Sequence, residues 1–244
     1  MKFAVITDIH GNATALEAVL KRITEETGVL EIFCLGDLIG IGPQTNEVIE
    51  IVRLTPQMTT ISGNHDENVL ALIHGQKYPD SYRHAKNHHQ WIADQLTPDN
   101  QRFLEQLPRT VRKTFSKQQA LFTHYAYLDE QKPIGEEPLA EAVDGTEQSL
   151  PNLFKGHEAS LICFGHHHPE QVIRAEGVTY LNPGALGCQP EAVAPFALVE
   201  RSGGEWKVDV IEVEYDDRPY LEAFNAAPMP EKELLRKLFL GGRT

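Results

Sequence analysis

Residues 2–23 read KFAVITDIHGNATALEAVLKRI, and this stretch decides the fold. Lys2 to Thr7 is an apolar run of strand length, and from Ala13 to Glu26 the apolar residues Leu16, Val19, Leu20 and Ile23 recur at helical spacing. The polar turn between them, Asp8 to Asn12, sits where a strand hands over to a helix. The pattern then repeats. Leu30 to Leu35 is a second strand ending at Gly36-Asp37, and Asn46 to Leu54 is helical, with Val48, Ile49, Ile51 and Val52 apolar. Thr59 to Ser62 is a third strand, ending at Gly63-Asn64. Strands alternating with helices need crossover connections, so this first part predicts a largely parallel sheet.

Residues 67–110 break that rhythm, with amphipathic stretches separated by Pro79 and Pro98 and no convincing strand, and are read as a helical insertion. Ala120 to Thr123 and Leu161 to Phe164 restore the strand pattern, each followed at once by histidine. Gln171 to Arg174, Val178 to Leu181, Phe196 to Glu200 and Trp206 to Val213 follow as strands joined by turns such as Ser202-Gly203-Gly204, antiparallel in part. Residues 215–244 form a tail of helical pieces interrupted by Pro228 and Pro230. No repeat, low-complexity tract or linker divides the chain, so residues 1–244 are expected to form one domain.

A formal net charge of −13 argues against binding duplex nucleic acid, which needs a basic surface to displace counterions from phosphates. It does not exclude a small anionic substrate. No apolar run is long enough to cross a bilayer, and Met1-Lys2-Phe3 leads straight into a strand, so the expected compartment is the cytosol. Three cysteines cannot close a disulfide framework. Cys34 and Cys163 lie in apolar runs and read as core filler, whereas Cys188 lies in a Gly-rich turn that leaves its exposure open, with no base visibly paired with it. The eleven histidines are unevenly placed, with His166, His167 and His168 consecutive.

Five strands are expected to end in polar clusters: Asp8-Ile9-His10, Gly36-Asp37, Gly63-Asn64-His65-Asp66, His124, and Gly165-His166-His167-His168. Groups just beyond the carboxyl ends of such strands converge on one crevice. The convergent set is two Asp, one Asn and several His without Cys, which suits manganese, iron(II), zinc or cobalt. Seven candidates exceed one site, and a bridging carboxylate, Asp37, would let two ions share them. Asp8 and His10, like His166 and His168, are two residues apart, so in extended chain each pair would face one way.

The run DIHGN (Asp8 to Asn12), with GD (Gly36-Asp37), GNHD (Gly63 to Asp66), His124 and GHHH (Gly165 to His168), resembles the motif set of the calcineurin-like metallophosphoesterase superfamily. Asn182-Pro183-Gly184 resembles the NPGS turn of a bacterial subgroup that includes small phosphodiesterases and some diadenosine tetraphosphate hydrolases. The resemblance implies an α/β fold: a four-layer α-β-β-α sandwich with two mixed sheets and a helical insertion. It implies two divalent metal ions, manganese first, with iron, zinc or cobalt as alternatives. Asp8, His10, Asp37 and His168 would hold one, and Asp37, Asn64, His124 and His166 the other. His65 would be the catalytic histidine. The implied activity is hydrolysis of small phosphodiesters or dinucleoside polyphosphates by a hydroxide held between the ions. The competing classes are a non-catalytic protein-binding scaffold and a protein Ser/Thr phosphatase. The phosphatases of this superfamily carry GDxxDRG and end the next motif in Glu, where this chain has GDLIGIG (Gly36 to Gly42) and GNHD.

Other polar residues read more plainly. Asn12 and Asp66 are expected to cap helices or orient neighbours. His84, His88 and His89 read as a solvated helix face, and Trp91 as core of the insertion. His167 is open between solvent and substrate, and the Gly40-Gly42-Pro43 loop lacks the Gly-Lys-Ser/Thr ending of a P-loop.

Overall fold

The computed structural model describes residues 1–244. Alternation along the first strand, β1 (Lys2–Ile6), sorts its side chains between two cores. Phe3 and Val5 face one way and meet Phe33, Phe115 and Phe122 in an inter-sheet core, where Phe33 and Phe122 stack with centroids 3.7 Å apart. Ala4 and Ile6 face the other way and pack on Leu16, Val19 and Ile23 of α1 (Ala13–Thr24) and on Val48, Ile49 and Val52 of α2 (Thr45–Leu54).

β1 is flanked in a five-stranded sheet by β2 (Val29–Cys34) and β3 (Met58–Thr60) on one side and by β9 (Val193–Ser202) and β10 (Glu205–Glu214) on the other, in the order β10-β9-β1-β2-β3. The β1–β2 and β2–β3 pairs are parallel, and β9 runs antiparallel to both neighbours. A second five-stranded sheet contains β4 (Thr110–Phe115), β5 (Gln118–Thr123), β6 (Leu161–Cys163), β7 (Gln171–Ala175) and β8 (Val178–Asn182), in the order β4-β5-β6-β8-β7. Its central pairs are parallel and its outer pairs antiparallel. Leu121, Ile162 and Tyr180 on its outer face pack against Tyr125, Phe154, Phe164 and Leu150 of α6 (Ser149–Leu153). Two mixed sheets lie face to face with helices outside, the expected four-layer α/β architecture.

One strand escaped the sequence reading. β4 pairs with β5 from Thr110 to Phe115, although Arg112 and Lys113 interrupt its apolar pattern. Lys113 shares the inward face with Val111 and Phe115, lays its ammonium 5.5 Å from the Phe33 centroid and reaches Glu31 at the rim. A long stem over apolar surface with its charge at the edge behaves as core despite its type.

The expected insertion is helical: α3 (Asn64–Ile73), a 3-10 turn at Asp80–Ala85, α4 (Lys86–Ala93) and α5 (Pro98–Glu105). Pro98 opens α5, where its missing N–H costs nothing, and Thr97 caps the helix by accepting from the Asn100 amide. Because α3 starts at Asn64, His65 stands in its first turn. The tail forms α7 (Arg218–Ala226) and α8 (Lys232–Phe239). All three cysteines are free and buried, and Cys188, whose exposure the Gly-rich turn leaves open, is 6% exposed and packs with Ile41 and Ala185. No helix is long and apolar enough to cross a membrane.

Candidate metal centre

The carboxyl ends of β1, β2, β3, β5 and β6 deliver Asp8, Asp37, Asn64, His124 and the His166–His168 turn to one place. The chain is not extended there, contrary to the argument from two-residue alternation. Asp8, His10, Asp37 and His166 all have positive φ, at 53°, 50°, 51° and 68°. Four non-glycine residues in a sparsely populated region cost of order 1–3 kcal/mol each, so surrounding bonds must over-determine them. Those bonds are present: Asp8 N donates to Gly36 O, His10 N to Asp37 O, and His167 N to Gly165 O across the His166 turn. Gly165 permits the approach of that turn to β1, since a Cβ there would stand 2.6 Å from Asp8 Oδ2.

The donor atoms form two groups that share one oxygen. In the first, His10 Nε2 lies 3.1 Å from His168 Nε2 and 3.5 Å from Asp8 Oδ1, with His168 Nε2 3.8 Å from the same oxygen. In the second, Asn64 Oδ1 lies 3.0 Å from His124 Nε2 and 2.7 Å from His166 Nδ1. Asp37 Oδ2 is 3.8 Å from His10 Nε2 and 3.2 Å from His124 Nε2, and so faces both. The structure thus brings all seven candidate ligands together.

The far sides of His10, His124 and Asp8 are tied down. His10 Nδ1 donates to Ile39 O at 3.0 Å and His124 Nδ1 to Leu35 O at 2.7 Å, which turns both Nε2 atoms inward. Asp8 Oδ2 accepts from Thr7 Oγ1 at 2.7 Å and from His166 N at 3.0 Å. Its Oδ1, fully buried, has no hydrogen-bond partner. An orphaned carboxylate oxygen facing imidazole nitrogens in a buried pocket fits a cation, because an unpaired buried charge is otherwise costly. Thr7 was not anticipated from the sequence.

Electrostatics agree with that reading. Burial opposes ionisation of Asp37, but the positive charges of His124 and His65 outweigh it and hold the carboxyl well below the usual range. Burial likewise works against Asp8, and the facing imidazoles of His10, His124 and His168 overcome it and hold the carboxyl low. Burial works against a charged His124 too, yet Asp37 raises its imidazole to about 10. Burial lowers His166 and His168 to about 4, leaving both neutral and ready to ligate at neutral pH.

Asp66 caps α3 and ties the loops after β2 and β3 together. Its Oδ1 accepts from Leu38 N and Ile39 N at 3.0 and 3.2 Å, and its Oδ2 from Gly63 N at 2.9 Å. Asp66→Ala would leave these buried amides without an acceptor, and each unsatisfied group costs about 1–3 kcal/mol. We expect a loss of ~3 kcal/mol or more in urea unfolding. An unchanged midpoint would remove this role. Asn12 caps α1 as expected, accepting from Ala15 N at 3.0 Å.

Other expectations are corrected. His88 and His89 do not lie on a solvated face: they are 2% and 0% exposed. His88 Nε2 donates to Ile41 O at 2.9 Å and its ring stacks on Trp91, while His89 contacts His65. Nothing in the sequence marked that contact. His167 turns away from the donor groups, pairing with Gln171 and lying 3.7 Å from Asp144. The NPG turn acts through backbone: Asn182 Nδ2 donates to His167 O, and Ala185 N donates to His168 O at 2.9 Å. Cys188 Sγ lies within 4.8 Å of ring nitrogens of His10 and His168, a neighbour the sequence reading did not foresee.

His65 stands beside the two groups. Its amide donates to Asp37 Oδ1 at 2.8 Å, and its ring lies 5.0 Å from that of His10, centroid to centroid. Burial pushes its imidazole well below the ordinary range. His65, Asp37, His166 and His168 line a cavity of about 540 Å³ whose outer wall is apolar, from Leu234, Leu238 and other residues of the tail.

Comparison with known proteins shows the family and agrees with the fold. Over 98% of its length the chain is 30% identical to an uncharacterized protein of Methanocaldococcus jannaschii, covering 97% of that protein. Over 163 residues it is 28% identical to the symmetrical bis(5'-nucleosyl)-tetraphosphatase of Coxiella burnetii, spanning about half of that enzyme (54%) and 64% of this chain. A crystal structure of a hypothetical protein from Pyrococcus horikoshii superposes with a TM-score of 0.80 at 24% identity, over 100% of this chain and 99% of that one. A metallophosphoesterase from Sphaerobacter thermophilus superposes with a TM-score of 0.71 at 26% identity, over 98% of each chain. The model of the calcineurin-like phosphoesterase superfamily domain matches residues 1–203, which hold every motif residue described above. With its buried Asp and His cluster at the strand ends, the chain belongs to the calcineurin-like phosphoesterase superfamily.

Proposed function

We propose that the protein is a dinuclear-metal-dependent hydrolase of phosphate esters or anhydrides, with small phosphodiesters or dinucleoside polyphosphates as substrates. The observation that carries the reading is the position of Asp37 Oδ2, which faces His10 on one side and His124 on the other. Asp8, His10, Asp37 and His168 would hold one ion, and Asp37, Asn64, His124 and His166 the second. Manganese is the first metal to test, followed by iron(II), zinc and cobalt, since the set mixes imidazole with oxygen donors. Two bound cations would supply a water-derived nucleophile at neutral pH and offset the repulsion of phosphoryl oxygens. They would also reverse the local sign of a chain whose net charge is −13.

The chain's own residues have three tasks in this reaction. Thr7 and the His166 amide fix the Asp8 carboxylate so that Oδ1 alone is offered inward. The apolar wall of the cavity accepts the organic part of a substrate whose phosphate lies beside Asp37 and keeps water from its far side. His65 transfers a proton at Nε2 to the departing oxygen: the N–H bond breaks as the O–H bond forms and the P–O bond opens. The partial likeness to a tetraphosphatase supports testing dinucleoside polyphosphates beside simple esters.

The test is turnover of 4-nitrophenyl phosphate, bis(4-nitrophenyl) phosphate and a dinucleoside tetraphosphate with added manganese, before and after a chelator. We expect hydrolysis that vanishes with the chelator and returns with metal, and product identification locates the cleaved bond. Inactivity on all three with each of the four metals would replace this reading by a binding scaffold. Preference for phosphopeptides would replace it by a protein phosphatase.

A further inference from the structure

His65 is backed by two residues for which neither the superfamily motifs nor the ligand groups account. Its Nδ1 lies 2.8 Å from His89 Nε2, and His89 Nδ1 lies 2.7 Å from the Tyr78 hydroxyl. That hydroxyl in turn donates to Tyr82 O at 3.2 Å. His89 is 0% exposed, so its two ring nitrogens have no water to turn to.

The chain of bonds has a direction because it ends on a carbonyl, which only accepts. The Tyr78 hydroxyl has one proton, and with it given to Tyr82 O the phenol oxygen accepts from His89 Nδ1–H. Neutral His89 then has a bare Nε2, and His65 must supply the proton between the rings from Nδ1. Packing fixes the same orientation. A Cβ on Gly40 would stand 2.5 Å from His65 Nδ1 and 2.6 Å from its Cβ, so that edge of the ring lies against backbone. The Tyr82 ring meets His65 edge-on at 5.4 Å, with planes at 84°. Nε2 is the one His65 nitrogen without a partner, on a ring that lines the cavity beside Asp37, His166 and His168.

We propose that His89 and Tyr78 are positioning residues that hold His65 in its Nδ1–H tautomer, with Nε2 presented to the leaving oxygen of the substrate. The proposal rests on the role given to His65 above and extends it to two residues of the helical insertion. Only when it also carries a proton on Nε2 does His65 act as an acid: that proton passes to the departing oxygen, the ring returns to this neutral tautomer, and the bond to His89 survives the step. Without His89 the ring is free to rotate about its side-chain torsions and to exchange tautomers, and half of the neutral forms point the wrong edge outward.

Two measurements test it. Nitrogen-15 correlation spectra of the metal-free protein, taken where the rings are neutral, should show His65 protonated at Nδ1 and bare at Nε2, and Tyr78→Phe should blur that preference. Turnover with manganese should separate substrates by leaving group. Bis(4-nitrophenyl) phosphate releases a stable phenolate that needs no proton, whereas a dinucleoside monophosphate releases an alkoxide that does. His89→Ala should lower kcat on the dinucleoside monophosphate about 10- to 100-fold, a part of the ~10²- to 10⁴-fold worth of acid catalysis, with KM unchanged. The same variant should stay within about threefold of wild type on the nitrophenyl ester, and His89→Gln, whose carbonyl can accept from Nδ1–H, should recover part of the loss. Equal losses on both substrates would overturn the proposal, as would a wild-type spectrum with the His65 proton on Nε2. Failure of the wild-type protein to hydrolyse either diester would instead count against the phosphoesterase reading, and the spectra alone would then decide the positioning.

Discussion

Asp37→Ala is expected to bind neither cation and to lose at least ~10³-fold in hydrolysis, since cations at such sites contribute several kcal/mol of transition-state stabilisation. One oxygen, Oδ2, faces both donor groups, so its removal takes a ligand from each. The other, Oδ1, accepts the His65 amide, so the alanine variant also loosens the first turn of α3. Asp37→Asn separates the two effects, because an amide keeps an acceptor for His65 N while surrendering the charge. Elemental analysis of both variants after reloading is the direct measurement. A variant that retained two ions per chain would refute the shared role.

The same carboxylate sets a pH dependence in the metal-free protein. Asp37 raises His124 to about 10 from an ordinary 6.5 despite burial. A group whose folded value lies above its unfolded one contributes stability in full below about pH 6.5 and loses it as pH climbs toward 10. Chemical unfolding of the metal-free wild type should therefore weaken across that window. In Asp37→Ala the slope should flatten, because the partner that holds the proton on His124 is gone.

Much of this architecture was legible because strand ends carry their chemistry with them. Asp8, Asp37, Asn64, His124 and His166 each follow a short apolar run, and parallel strands must deliver such residues to one edge. What failed were readings that depend on how an element docks. His89 is a polar residue on α4, and only the placement of α4 against α3 turns it inward toward His65. β4 was hidden because its inward position 113 is a lysine whose burial requires Glu31 from the other sheet. The Gly-rich turn around Cys188 leaves its exposure open in the sequence, and Ile41 and the tail cover it. The two-residue alternation placed Asp8 and His10 together for the wrong reason, since positive φ at both, not extended chain, points them inward. In each case the missing information was long-range packing, which no local pattern encodes.

His65→Ala should separate chemistry from metal binding. The His65 ring contributes to neither donor group, and its contacts are His89, Gly40 and the rings of His10 and Tyr82. Removing the imidazole should leave the metal content within error of wild type, while the backbone amide of residue 65 still donates to Asp37. Turnover of substrates with alkoxide leaving groups should fall by ~10²- to 10⁴-fold, the range typical of a positioned general acid. The fall should lie in kcat, with KM changed little, because the proton is needed only as the P–O bond opens. On a nitrophenyl ester the loss should shrink to whatever the imidazole contributes as a hydrogen-bond donor to the phosphoryl oxygens. Equal loss of metal and turnover would make His65 a ligand and return the acid role to another group. Retention of full activity would be more damaging still, since it would take the acid role from His65 altogether.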